Sequence, residues 1–230
     1  MLLVDWIDLP PQMQNDAVKP YYDALKKRTP SLVLKRCFDV LLSAALLVLF
    51  SPLFLILAAA IKLESEGPVF FRQKRITQFG REFRIFKFRS MTRNAERQGT
   101  LVTVGNDARI TRVGKFIRKY RLDEISQLID VFRGTMTFVG TRPEVPKYVA
   151  AYTPEMTATL LLPAGITSEA SICFKDEEQL LSSAGDADKV YITEILPRKM
   201  AYNLKSQKEF SIAGDFKIMF KTFAAVFLKR

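Results

Sequence analysis

The sequence predicts an α+β protein, mostly helical, with an apolar membrane segment joined to an irregular body that carries a small β-hairpin. Three patterns predict this. Val40–Ile61 is a run of 22 residues without a charge. The stretch from Gly67 to Met91 alternates β-branched and aromatic residues with basic ones around Gln78-Phe79-Gly80. Apolar residues at 116, 117, 120, 125, 128, 129 and 132, and again from Phe216 to Phe227, recur at helical spacing.

Taken in chain order, residues 1–33 read as a polar, Pro-containing arm with a short amphipathic piece around Pro20–Lys27. The first eight residues hold two Asp and no basic stretch, which argues against a signal peptide. Val40–Ile61 as a straight helix would reach roughly 33 Å, enough to span a bilayer core. Ser51-Pro52 interrupts it near the middle, where Pro removes an internal hydrogen bond. Basic residues flank both ends, Lys35 and Arg36 before, Lys62, Arg72, Lys74 and Arg75 after. The positive-inside rule then puts both flanks on one side. A segment that enters, breaks at Ser51-Pro52 and returns meets both observations, with the Ser51 hydroxyl serving a carbonyl freed by the Pro. A kinked spanning helix and a soluble core helix stay open.

Beyond the hairpin, Asn94–Asn106 reads as a loop. Two helices follow, around 111–120 and 123–132, with a phase change near Leu122 and a stop at Gly134. Phe138–Glu144 reads as a turn, 145–161 as helix, Pro163-Ala164-Gly165 as a turn, and 176–205 as helix broken at Gly185 and Pro197. The last helix carries Phe216, Met219, Phe220, Phe223 and Phe227 on one side, fit to pack on the body or to lie in a membrane interface.

Charge is distributed unevenly. Residues 62–147 hold 19 Lys and Arg against 9 Asp and Glu, while 148–230 hold ten of each. A basic block beside a membrane segment implies an anionic partner, either lipid headgroups or a phosphorylated substrate, with nucleic acid as the competitor. The chain has no His, which excludes Ser-His-Asp triads and His-ligated metals. Cys37 and Cys173 have neither zinc nor disulfide-framework spacing, which suits a reduced body facing the cytoplasm.

Three constellations could carry chemistry. Asp123-Glu124 follows Arg118, Lys119 and Arg121; an ionised Asp beside fixed cations can be a nucleophile or hold Mg²⁺. The same pair also suits an ordinary helix first turn. Thr141-Arg142-Pro143-Glu144 can present Arg142 as a phosphate fork, or be a surface turn. Phe86-Lys87-Phe88-Arg89 reads as a cationic strand face, functional or merely solvated.

The ordered blocks LKRCFDVLLS, FSPLFLILAAAIKLESEGPVFFRQKRI, FRIFKFRSM and ITRVGKFIRKYRLDEISQLIDVFRGTMTFVGTRPE resemble the bacterial sugar transferases called monotopic phosphoglycosyl transferases, from about Leu34 to Phe223. The resemblance implies a re-entrant membrane helix broken at Ser51-Pro52. It divides the chain into an arm (1–33), that helix (34–66) and a cytoplasmic catalytic body (67–230) with interfacial amphipathic helices. It implies transfer of a sugar phosphate from a UDP-sugar to polyprenyl (undecaprenyl) phosphate as the first membrane step of a surface glycan. Asp123 would attack the phosphate next to the sugar, Glu124 would help it hold Mg²⁺, and Lys87, Arg118 and Arg142 would take phosphates. It places the protein at the inner membrane, with no nucleic-acid partner and a homodimer left open. Two departures stand out. Thr141 replaces the first Pro of the family's Pro-Arg-Pro, and Lys175 lies near a position where the family has Arg, a point charge for a fork. Without the extra N-terminal helices of longer relatives, the chain looks like a minimal catalytic form. A membrane-tethered basic adaptor is the alternative; a carboxylate pair in the centre of the basic block argues against it.

Overall fold

The computed structural model describes residues 3–92, 109–175, 177 and 186–227. The expected loop Asn94–Asn106 and the break at Gly185 lie outside these residues, as does the side chain of Phe227. α1 (Lys19–Lys26) is the amphipathic piece near Pro20. α2 (Thr29–Leu49) and α3 (Ser51–Glu64) then meet at a bend of 60°. Pro52 has no N–H to give the Val48 carbonyl four residues back. The Ser51 hydroxyl serves it instead, donating to Val48 O at 2.8 Å. Among the described residues no single helix is long and apolar enough to cross a membrane, but this bent pair together is. Leu41, Val48, Leu55 and Leu63 are each more than two-thirds exposed (71%, 75%, 72% and 89%). A soluble core helix would bury such residues, so their exposure counts against that reading, although Leu57 and Ile61 are buried.

Both ends of the bent pair are tied to the same body. At the α2 end, Lys35 and Asp39 are buried. Lys35 Nζ donates to Val139 O at 2.9 Å and pairs with Asp215. Asp39 accepts from Thr137 Oγ1 at 2.7 Å and from Phe138 N at 3.3 Å. Arg36 donates to Val131 O and Phe132 O at 2.7 and 2.9 Å. The basic flank therefore has a structural role, and Asp39, one residue outside the apolar run, anchors it. At the α3 end, Arg89 donates to Ser65 O (2.7 Å) and Glu66 O (3.0 Å), capping the helix. Glu64 in turn accepts from the N–H groups of Arg112 and Val113 at the start of α4 (Arg112–Lys119).

The predicted hairpin is β1 (Phe70–Ile76) antiparallel to β2 (Glu82–Phe88), turned by Phe79 and Gly80 at positive φ. Its faces differ from the sequence reading. Strict alternation puts Lys87 with Ile85 and Phe83 on one face, and Arg84 with Phe86 on the other. Arg89 is buried in its cap, so Phe86-Lys87-Phe88-Arg89 is not one cationic face. A second pair was not foreseen: β3 (Met136–Val139) runs parallel to β4 (Ala164–Thr167), where the sequence read turns. Glycine permits it. A Cβ on Gly165 would stand 2.2 Å from Gly140 N and 2.3 Å from Gly140 O.

The helix expected over 145–161 is instead α6 (Pro146–Val149) and a 3₁₀ segment, Glu155–Leu161, separated at Thr153-Pro154. After α7 (Glu169–Cys173), Pro197 does not break its helix. α8 (Ala187–Val190) runs through a π turn (Tyr191–Ile195) into α9 (Leu196–Lys208), and Pro197 sits in the first turn of α9 where no donor is needed. α10 (Ile212–Phe227) leaves Phe216, Phe220 and Phe223 exposed while Ile218 and Met219 pack on the body. The N-terminal arm joins the core: Met13, Val18, Leu25 and Leu32 are fully buried against Leu161 and Ile76.

α5 (Leu128–Arg133) runs beside β2 and carries a buried carboxylate, Asp130. It accepts from Phe86 N at 2.8 Å. Burial nevertheless pushes it up to about 6. Below about pH 4 it is protonated in both folded and unfolded chains. Between pH 4 and 6 only the unfolded chain ionises, so the folded state loses about 3 kcal/mol of relative stability over that window. Asp130→Asn keeps the acceptor for Phe86 N and has no such loss. Thermal unfolding in detergent from pH 4 to 7 should show wild type falling relative to the variant as pH rises; parallel curves would refute the assignment.

Candidate active site

The site forms where a left-handed residue turns the chain. Arg121 (φ 52°) ends α4 and starts a 3₁₀ segment, Leu122–Gln127, which is the physical form of the phase change near Leu122. A non-glycine residue there is strained, and the result is to present Asp123 and Glu124 in the first 3₁₀ turn. Ser126 Oγ donates back to Asp123 O at 3.1 Å and fixes that turn.

Cations arrive from two other elements. Lys87 Nζ on β2 lies 3.3 Å from Glu124 Oε1. Arg142, on the segment after β3, pairs with Glu124 Oε1 through Nη2 and reaches Oε2 with Nη1 at 3.3 Å. It is held in place by the β3–β4 pairing, through Gly165 N donating to Thr141 O at 2.8 Å and Arg142 Nη1 to Ile166 O at 3.4 Å. The loss of the first Pro at Thr141 thus leaves this turn anchored. Glu144 faces away from the pair. Buried, it accepts from Tyr191 Oη at 2.6 Å and Lys199 Nζ at 3.3 Å, fastening the Arg142 segment to the π turn and α9.

Burial pushes the Glu124 carboxyl up, but Arg142 and Lys87 together outweigh it and hold it far below the usual range. Asp123 goes the other way: burial lifts its carboxyl above the ordinary value against the pull of Lys87, and Glu124 adds to the rise. Lys87 is lowered by burial, with Glu124 opposing. Arg118, half-buried on α4, acts on Asp123 as a favourable charge.

The structure therefore gathers Asp123, Glu124, Lys87, Arg142 and Arg118. It does not gather Lys175, which is exposed beyond α7 and is not among the principal charges acting on Asp123 or Glu124. Two residues were not assigned to the site from the sequence. Arg75 shares Lys87's hairpin face, donates to Pro143 O at 3.0 Å and so braces the Arg142 segment. Gln127 is fully buried three residues after Glu124, with neither amide atom hydrogen-bonded. The signal for Arg75 was its parity with Gln73 on β1; for Gln127 it was an amide at an inward position between Ser126 and Leu128.

Among the described residues no group of three acidic or thiol side chains could cage a metal. A closed calcium- or zinc-type site is thus not built there. Magnesium needs less, one or two carboxylates with phosphate oxygens and water completing the shell. Asp123 accepts no hydrogen bond from another described side chain, and with Glu124 beside it the pair fits that requirement.

The profile of the bacterial sugar transferases matches residues 30–229. The chain is 38% identical over 196 residues to the UDP-N-acetylgalactosamine-undecaprenyl-phosphate N-acetylgalactosaminephosphotransferase of Aeromonas hydrophila, covering 84% of this chain and 43% of that protein. It is 33% identical over 214 residues to the UDP-glucose:undecaprenyl-phosphate glucose-1-phosphate transferase of Escherichia coli K12, covering 92% and 44%. It is 33% identical over 211 residues to the exopolysaccharide production protein ExoY of Rhizobium meliloti, covering 85% and 86%. The chain thus spans about two-fifths of the length of the first two relatives and most of the third.

Proposed function

Because the chain belongs to the bacterial sugar transferase family, we propose that it moves a sugar 1-phosphate from a UDP-sugar to undecaprenyl phosphate, releasing UMP and starting a surface glycan. The observation that carries this reading is the carboxylate pair Asp123-Glu124, one member clamped by Lys87 and Arg142 and the other without an ion pair among the described residues. The names of the relatives supply the donor and acceptor classes.

In this mechanism an Asp123 Oδ attacks the donor phosphorus next to the sugar. A bond from that oxygen to phosphorus forms, the bond to the bridging oxygen breaks, and UMP departs with that oxygen. The acceptor's phosphate oxygen then attacks the same phosphorus and frees Asp123, giving ping-pong kinetics. Asp123 and Glu124 would hold Mg²⁺ with the donor's phosphates, and the ion would offset charge on the phosphoryl oxygens. Arg118 sits where it favours ionised Asp123, and Lys87 and Arg142 keep Glu124 an anion and present cations to the phosphates.

The bent helix pair supports a re-entrant anchor at the cytoplasmic face of a bacterial inner membrane. Both of its ends bind one folded body, which supports placing both on one side of the bilayer. That arrangement sets the pair at the depth where a lipid-borne phosphate meets a soluble nucleotide sugar. The test is a panel of UDP-sugars incubated with protein, Mg²⁺ and undecaprenyl phosphate, scored by UMP release. One donor should give turnover; a chain that releases UMP from none of them is not this transferase.

A further inference from the structure

The catalytic reading uses only part of the positive block. Lys87 and Arg142 hold Glu124, Arg75 braces Pro143, and Arg89 caps α3. Alternation puts a different set on the other hairpin face: Arg72 and Lys74 of β1 with Arg84 of β2, all exposed. Lys74 is neutralised by Glu82 at 2.9 Å. Two other arginines, Arg72 and Arg133, converge on Phe86. The Arg72 guanidinium carbon lies 3.4 Å from the Phe86 ring centroid, and that of Arg133, at the end of α5, lies 5.3 Å from it. Arg72 also donates Nε and Nη2 to Arg84 O, at 3.1 and 2.6 Å, which brings the two residues together.

Arg84 and Arg133 act on Arg72 as like charges. The carboxylate that acts on it is Asp130, which is buried and engaged by Phe86 N. No carboxylate among the described residues forms an ion pair with Arg72, Arg84 or Arg133. Three exposed arginines, two stacked on one ring and the third on the same hairpin face and close enough to act on Arg72 as a like charge, form a fork-lined anion site. Its position indicates which anion. Arg133 follows Phe132, whose carbonyl is bound by Arg36 on α2, one turn before the apolar run begins at Val40. Phe132 is itself half exposed. An exposed aromatic beside arginines, level with the point where a helix enters lipid, matches the headgroup layer.

We propose that Arg72, Arg84 and Arg133 form a binding site for the headgroup of an anionic phospholipid, on the hairpin face opposite Lys87 and separate from the catalytic pair. The proposal rests on the membrane reading above. It assigns a purpose to charges the reaction does not need: fixing how the body tilts on the bilayer.

The test titrates the detergent-solubilised full chain with phosphatidylglycerol or phosphatidylcholine, counting retained lipids by native mass spectrometry. Wild type should prefer phosphatidylglycerol. The double variant Arg84→Gln, Arg133→Gln, which removes no hydrogen bond among the described residues, should weaken that lipid about tenfold or more. Its binding of phosphatidylcholine and its UMP release in neutral detergent should be unchanged. The variant Lys27→Gln, Lys205→Gln removes two charges elsewhere and should behave as wild type. Equal binding of the two lipids by wild type, or an equal loss from the remote variant, overturns the proposal. So does displacement of phosphatidylglycerol by comparable glycerol 3-phosphate, which would make this a site for soluble phosphates. Cysteines placed by Pro30→Cys and Glu66→Cys, in a chain with Cys37 and Cys173 replaced by Ser, check the membrane reading separately. Labelling of both from one side with no lipid preference would sink the headgroup site alone, and labelling from opposite sides would sink the re-entrant anchor itself.

Discussion

Asp123→Asn is expected to abolish both turnover and covalent trapping of label from the donor sugar phosphate, with UMP release down by roughly 10³-fold or more. The substitution keeps the shape of the side chain. It also leaves in place the clamp on Glu124, which Lys87 and Arg142 make without using Asp123. What it removes is the anionic oxygen that forms the bond to phosphorus. The effect should therefore fall on the chemical step: donor binding, measured by equilibrium titration, should change far less than the rate. Wild type incubated with labelled donor and no acceptor should retain label through denaturation, and the variant should not. Label retained by Asp123→Asn would move the nucleophile elsewhere, with Glu124 the next carboxylate in line. Label absent from wild type, with turnover intact, would mean direct transfer to the acceptor.

What the sequence made legible was local. Ser51-Pro52 could be read because both the missing donor at Pro52 and its substitute at Ser51 lie within one helical turn of Val48. The helix stop at Gly134, the hairpin turn at Phe79-Gly80 and the irregularity near Leu122 are equally short-range. The failures share a different cause. β3 and β4 pair across 28 positions, from Met136 to Ala164, and their contact depends on two glycines meeting, which no window of sequence contains. Pro197 is tolerated because the π turn before it accommodates a residue without a donor. The hairpin's cationic face was misjudged at Phe86-Lys87-Phe88-Arg89. Lys87 and Arg89 share parity, but the strand ends at Phe88 and Arg89 turns inward to its cap, while Arg84 lies on the opposite face. That error also hid Arg75, which parity places with Lys87. At the site, the sequence located the carboxylates and cations but not their division of labour. Glu124 rather than Asp123 takes the ion pairs, a consequence of how β2 and the segment after β3 converge in space.

That division makes Arg142 the second residue whose loss should be severe. Arg142→Ala leaves Glu124 buried with Lys87 as its one remaining ion-pair partner among the described residues. Burial already pushes that carboxyl up, and Arg142 is the larger of the two charges holding it down. Without it the Glu124 carboxyl rises, so the acid limb of the kcat–pH profile should shift to higher pH. A cation facing the phosphates is lost as well. The combined fall in kcat at neutral pH should be on the order of 10²–10³-fold. Arg142→Lys should recover only part of it, because a point charge cannot span both Glu124 oxygens and Ile166 O as the fork does. The pair is separable by a double-mutant cycle. If Arg142 acts through Glu124, then Arg142→Ala combined with Glu124→Gln should be little worse than the poorer single variant. Effects that multiply, with a raised KM for the donor and an unmoved acid limb, would mean that Arg142 grips the phosphates without help from Glu124. The clamp would then be a resting contact that the donor displaces rather than part of the machinery that transfers the sugar phosphate.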